Sequence, residues 1–125
     1  IDAVPADFPE VSRPSGFVKS MVEIDEIVEH LKAIEKAGWT VPTDHPDLVP
    51  VAEAGRMADL FRLVADGDFA GKKPADFSQM LRDNGLQVQA LEDLLAADEM
   101  DSKKLSEQFK LITATCKDCH VKFGD

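Results

Sequence analysis

Apolar residues recur every three or four positions through most of this chain, which is the spacing of one face of an α-helix. Four segments of about 15 to 25 residues show this period. Gly- and Pro-rich stretches at 38–50 and 66–74, and an Asp-rich stretch at 98–102, separate them. Strand signals are nearly absent, because the sequence has neither alternating β-branched runs nor hairpin dipeptides. The pattern predicts an all-α protein.

Turn and cap residues set the expected helix bounds. The four predicted helices cover about 15–37, from about 47 to the break at 66, 74–97 and 101–123. Gly38 should end the first helix. Asp47 is the expected N-cap of the second, with Pro50 in its first turn, and Asp101 or Ser102 should cap the fourth. Residues 1–14 contain three prolines and are expected to form an extended lead-in to a domain over 15–125.

Each predicted helix has one apolar stripe that should face a shared core. The stripes comprise Phe17, Met21, Ile24, Val28 and Leu31; Met57, Leu60, Phe61 and Val64; Phe77, Leu81, Val88, Leu91 and Leu95; and Leu105, Phe109, Ile112, Cys116, Cys119 and Phe123. Asn84 occupies an otherwise apolar slot of the third stripe. Four amphipathic helices with modest connections predict an antiparallel four-helix bundle.

The charge balance narrows the classes of partner. The chain has 125 residues and a net charge of −10, from 24 acidic and 14 basic residues. Nucleic-acid binding is not expected, because phosphate contacts need a basic face. No apolar run approaches the ~20 residues that a membrane span needs. The chain starts at Ile1, not Met, so we expect a mature chain from which a signal peptide has been removed.

The fourth segment contains the chemistry-bearing motif, Cys116-Lys-Asp-Cys119-His120. On a helix, Cys116 and Cys119 lie on neighbouring turns of one face, so two thiols can reach the two vinyl groups of one porphyrin. His120 then presents its imidazole to the iron. This CxxCH spacing is the signature of c-type haem attachment, and it predicts one covalent haem c per chain.

Other uses of a CxxC pair fit the sequence less well. A thioredoxin-like motif follows a strand in a βαβ unit, whereas this one ends a helical chain. A structural zinc site needs four ligands, and only His30 and His45 remain to supplement the motif. A plain disulfide would not need the histidine.

The last 50 residues resemble those of the class II cytochromes c, the cytochrome c′ family. The resemblance extends from Phe77 to the run CKDCHVKF that ends at Phe123. It implies an up-down-up-down bundle, often a homodimer, exported to the bacterial periplasm. It also implies that Arg13 pairs with a haem propionate.

The same resemblance implies two modes of action. Most members keep the iron five-coordinate, with an apolar helix-one side chain over the open face, and bind nitric oxide or carbon monoxide. Phe17 would be that side chain. Others use a helix-one methionine as sixth ligand and carry electrons to and from redox partner proteins.

The predicted bundle limits the candidates for the sixth ligand. In an antiparallel bundle the end of helix four lies beside the starts of helices one and three, which brings Phe17, Met21 and Met80 to the haem. Met21 is the first candidate and Met80 the second, with an empty site beside Phe17 as the third. His30 lies ~20 Å further along helix one, at 1.5 Å per residue. Met57 is expected in the core, and loops are expected to contain His45 and Met100.

We therefore expect a periplasmic monohaem cytochrome that carries one electron, with His120 and Met21 as iron ligands. The alternative is a five-coordinate cytochrome c′ that binds nitric oxide or carbon monoxide. Enzymatic activity such as peroxidation is not expected, because no distal His–Arg pair is predicted at the haem end.

Overall fold

Every secondary-structure element over residues 16–123, the part of the chain that this computed structural model describes, is helical. The helices are α1 (Gly16–Lys36), α2 (Pro50–Ala65), α3 (Asp68–Gly71), α4 (Ala75–Ala96) and α5 (Ser102–Phe123). The all-α prediction is confirmed. The single turn α3 lies in the break at 66–74, where the sequence predicted no helix. The expected lead-in over 1–14 lies outside the described residues.

The helix ends match the predictions except at the start of α2. Gly38 follows α1 with φ of +79°, the left-handed conformation that ends a helix. Asp101 Oδ1 accepts hydrogen bonds from the amides of Lys103 and Lys104, as an N-cap does. The prediction that Asp47 caps α2 was wrong: Val49 occupies that position. A residue before proline avoids the helical conformation, so α2 cannot start earlier than Pro50.

The helices pack in the order of the chain, with α1 on α2, α2 on α4, and α4 on α5. Their apolar stripes form one core, and Ile27, Leu31, Met57, Leu81, Val88, Leu91, Leu105 and Ile112 are almost wholly buried. Gly85 permits close approach of α4 and α2, because a Cβ there would lie 3.3 Å from the Cβ of Phe61. None of the helices over residues 16–123 combines the length and apolar character needed to cross a membrane.

Trp39 joins the loop after α1 to α5. Its side chain is only 2% exposed, and its Nε1 donates a 3.0 Å hydrogen bond to Oγ of Ser106. Its ring meets the ring of Phe109 edge to face, with centroids 5.8 Å apart. The backbone of Trp39 has φ of +67°, and its amide donates to the carbonyl of Ile34 at 2.8 Å. A bulky residue rarely adopts this conformation, so burial and these contacts offset the strain.

We expect Trp39→Ala to lower the free energy of unfolding by about 3–5 kcal/mol, because it removes a buried indole and leaves a cavity. Ser106→Ala removes only the hydrogen bond, so its expected cost is about 1 kcal/mol. Urea denaturation of both variants measures the difference. Equal, small losses would show that Trp39 does not anchor the loop to α5.

Candidate functional site

A cavity of about 830 Å³ lies between α1 and α5. We call it the α1–α5 cavity. Six positions of α1 and nine of α5 form its sides, and Phe61, Leu81 and Asn84 of α2 and α4 complete the wall. The two outer helices make few close backbone contacts with each other, which leaves this space between them. Its volume falls within the ~300–1,000 Å³ of small-molecule and cofactor sites.

The cavity brings together the motif residues and one distant methionine. Cys116, Cys119 and His120 line it from α5, and Met21 lines it from α1. Both cysteines and Met21 are partly buried, whereas His120 is mostly exposed. Ser102–Phe123 is one continuous helix, so Cys116 and Cys119 lie on neighbouring turns as the sequence predicted. Two thiols, an imidazole and a thioether therefore share one cavity.

The protonation state of the thiols argues against disulfide-exchange chemistry. Both cysteines are free. Burial, with smaller contributions from Cys119 and Asp25, raises the pKa of the Cys116 thiol to about 11. Burial also raises the pKa of Cys119. Redox-active CxxC motifs have thiols of lowered pKa, because the thiolate is the nucleophile. These thiols are protonated at neutral pH.

The described residues also offer no closed metal site. No group of three or more His, Cys, Asp or Glu side chains over residues 16–123 is arranged to hold a metal ion. A structural zinc site needs four such ligands. A haem iron needs only one or two axial ligands from the protein. The imidazole of His120 and the thioether of Met21, which line the cavity, are side chains that can serve as such ligands.

One polar side chain is fully buried in the otherwise apolar part of the wall. Asn84 is 1% exposed, and its Oδ1 has no hydrogen-bond partner. Over residues 16–123, the only other buried side-chain polar atom without a partner is Oε1 of Gln87, which does not line the cavity. Buried polar groups are normally paired, so Asn84 needs an explanation.

Charged side chains of both signs line the more exposed parts of the cavity. Three are acidic and three basic: Asp25, Glu35, Glu107, Lys32, Lys103 and Lys110. They balance, whereas the whole chain has a net charge of −10. The lining of the cavity therefore does not contribute to the acidic excess of the sequence.

Phe17 does not line the cavity, although the sequence predicted it beside the motif. Its ring stacks on Phe69 of α3 at 4.2 Å between centroids and contacts Phe77 of α4 at 5.8 Å. The reason is α3, which was not predicted and which supplies an aromatic partner on the other side of Phe17.

Met80 does not line the cavity either. It directly precedes Leu81, which does, and consecutive helical residues point about 100° apart. Arg13, the expected partner of a propionate, lies outside the described residues. His30 is engaged elsewhere, because its Nδ1 lies 2.6 Å from Oε1 of Glu53. Met57 is buried in the core, as expected.

Sequence reasoning overlooked part of the wall. Five residues of the predicted core stripes also line the cavity: Ile24, Val28, Phe61, Leu81 and Phe109. Their stripe positions were the available signal, but periodicity does not separate a residue that fills the core from one that lines a cavity.

Comparison with known proteins assigns neither a family nor a function to this chain. No protein-family model, no curated protein and no solved structure matches this chain. The interpretation of the cavity therefore depends on its own residues.

We expect the two free thiols to react slowly with iodoacetamide at pH 7. For Cys116, raising the pKa from 9.0 to about 11 lowers the thiolate fraction roughly 100-fold. The rate should rise as pH increases towards 11. Mass spectrometry of Cys116→Ala and Cys119→Ala measures each thiol separately, and a rapid reaction of Cys116 at pH 7 would contradict its burial.

Proposed function

We propose that this protein is a monohaem c-type cytochrome of the class II kind that carries one electron. Cys116 and Cys119 would hold one haem c by thioether bonds, with His120 and Met21 as the axial ligands. The observation that carries the proposal is that these four side chains line one cavity. The CxxCH motif supplies three of them within five residues, and α1 supplies the fourth.

The residues of the cavity fit such a group. Its volume of about 830 Å³ is of the size that cofactor sites have. Apolar side chains from four helices line it, including Ile24, Phe61, Leu81 and Phe109, and they would exclude water from a flat apolar ring. Both free cysteines and Asn84, whose amide oxygen has no partner in the protein, also line this space.

When bound, the haem supplies an iron that alternates between the ferric and ferrous states. The side chains of the protein would position this group and set its surroundings. The rigid helix α5 fixes the spacing of the two cysteines and of His120. The apolar wall lowers the local polarity, which together with the axial ligands sets the reduction potential.

Met21 is the favoured second ligand. Among the methionines over residues 16–123, it is the only one that lines the cavity. Met57 is buried in the core and Met100 is exposed in the connection before α5. An iron with both axial positions occupied changes its surroundings little on reduction, which suits an electron carrier better than an enzyme.

The contacts between helices support the antiparallel up-down-up-down arrangement that we propose. Lys122 near the end of α5 lies 2.8 Å from Asp76 in the first turn of α4. Gln108 near the start of α5 donates to the carbonyl of Gln87 in the second half of α4. Neighbouring helices with such pairs run in opposite directions.

We also propose a bacterial periplasmic location, because in bacteria c-type haem is attached outside the cytoplasm. Redox proteins would be the partners. The acidic excess of the chain would steer a basic partner towards it, with a dependence on salt. The resemblance further suggests a homodimer.

A second candidate function is binding of nitric oxide or carbon monoxide to a five-coordinate iron. One observation favours it: Ile24 and Val28 of α1 line the cavity close to Met21 in sequence. If one of these apolar side chains faced the iron instead of Met21, the side of the haem opposite His120 would have no protein ligand and could bind a gas. The polarity and access of that face decide ligand binding.

Expression of the chain with a c-type haem maturation system tests the proposal directly. We expect one haem per chain that survives denaturation and acid–acetone extraction, because thioether bonds are covalent. Cys116→Ala/Cys119→Ala should lose the covalent haem. Thr115→Ala should retain it, because Thr115 is next to Cys116 in sequence but does not line the cavity. A wild-type chain without covalent haem would refute the proposal.

Met21→Leu separates the two candidate functions. If Met21 is a ligand, the wild type should be low-spin, and the variant should become high-spin and bind carbon monoxide when reduced. Its reduction potential should also fall, since a methionine ligand raises it. Met80→Leu is the matched control and should leave the spectrum unchanged. A wild type that is already high-spin and binds carbon monoxide would favour the gas-binding function.

A further inference from the structure

Asn84 is a poor choice for the position it occupies. It lies in the middle of α4, where asparagine is a weaker helix former than leucine or alanine. Its stripe neighbours Leu81 and Val88 are almost wholly buried apolar residues. A leucine would suit both the helix and the core better, so folding does not explain this residue.

Asn84 lines a space that other parts of the chain do not fill. Asn84 lines the α1–α5 cavity with Phe61 and Leu81, at 1% exposure. Its Oδ1 accepts no hydrogen bond within the protein. An amide held at such a wall without a partner in the protein destabilises the folded chain, so a group in the cavity that pairs with the side chain would stabilise it.

We propose that Asn84 is a binding residue of the cavity, whose amide forms a hydrogen bond with an oxygen-containing group held there. This inference rests on the proposed haem site. The oxygen would belong either to a carboxyl group of the haem or to a water molecule enclosed beside it. An ionised carboxyl group only accepts, so it would take a hydrogen bond from Nδ2, whereas a water molecule can pair with either atom of the amide.

Such a hydrogen bond would change the reduction potential of the haem as well as help to hold it. Hydrogen bonds and polarity around the iron set its reduction potential, and one amide in an apolar wall has a large local effect. Asn84 would then be a positioning residue that affects the potential without touching the iron.

Gln87 provides a matched control. It lies one turn further along α4 and also has a buried side-chain oxygen without a partner, but it does not line the cavity. Asn84→Leu and Gln87→Leu each replace an unpaired amide with an apolar side chain. If both oxygens are merely unsatisfied, the two substitutions should act in the same direction.

The test compares the two variants in the haem-loaded protein. For Asn84→Leu we expect a lower urea midpoint and a shifted reduction potential, because a bond to the contents of the cavity is lost. For Gln87→Leu we expect an equal or higher midpoint and an unchanged potential. Unchanged potentials in both variants, with midpoints that move together, would overturn the inference.

A second pair of variants covers failure of Asn84→Leu to fold. Asn84→Ala and Asn84→Ser are similar in size, but only serine can donate and accept a hydrogen bond. We expect the serine variant to recover part of the wild-type potential. Equal potentials in the two variants, both displaced from the wild type, would indicate a volume effect and overturn the inference.

Resonance Raman spectra of the loaded protein identify the partner oxygen. Displaced propionate bands in Asn84→Leu would assign a haem carboxyl group, and unchanged bands with a shifted potential would assign a water molecule. A wild type that takes up no covalent haem would overturn this inference together with the proposed function. A loaded wild type in which Asn84→Leu and Gln87→Leu behave alike would overturn this inference alone.

Discussion

The anchoring of Trp39 on α5 is the contact that joins the two helices on either side of the cavity. α1 packs on α2, and α5 packs on α4, but α1 and α5 make few close backbone contacts. The indole of Trp39, held by Ser106 and Phe109, ties the end of α1 to the start of α5. The two helices are therefore joined at one end and separated along the part that carries Met21 and the cysteines.

Helical periodicity predicted the long helices well, because each buries one regular stripe. It failed where contacts with residues distant in sequence determine the position of a side chain. Phe17 belongs to the stripe of α1, yet it stacks on Phe69, which lies in a four-residue helix inside a Gly- and Pro-rich break. Such a turn is too short to have a period. The start of α2 was misjudged for a local reason, since the conformational restriction before Pro50 outweighed the capping preference of Asp47.

The site was predictable to the extent that its chemistry is local. Three of its residues lie within five positions, so the helix alone fixes their geometry. The expected register of two helices named Met21, which lines the cavity, and Met80, which does not, because one step along a helix turns a side chain by about 100°. Asn84 stood out in the sequence as a polar residue in an apolar stripe, but its lack of a partner became visible only in the structure. Trp39 gave no signal, since nothing in a sequence predicts a left-handed tryptophan.

Two features of the cavity oppose the stability of the chain by itself. The space forfeits contacts between its walls, and the amide oxygen of Asn84 has no partner. Each has an apolar or paired replacement that would suit folding better. Their coincidence on one cavity is what a binding site produces, since a group that occupies it stabilises the folded state by mass action. A haem joined to both thiols would fill the space and restore contacts between its walls. The proposed hydrogen bond of the Asn84 amide would offset the second cost.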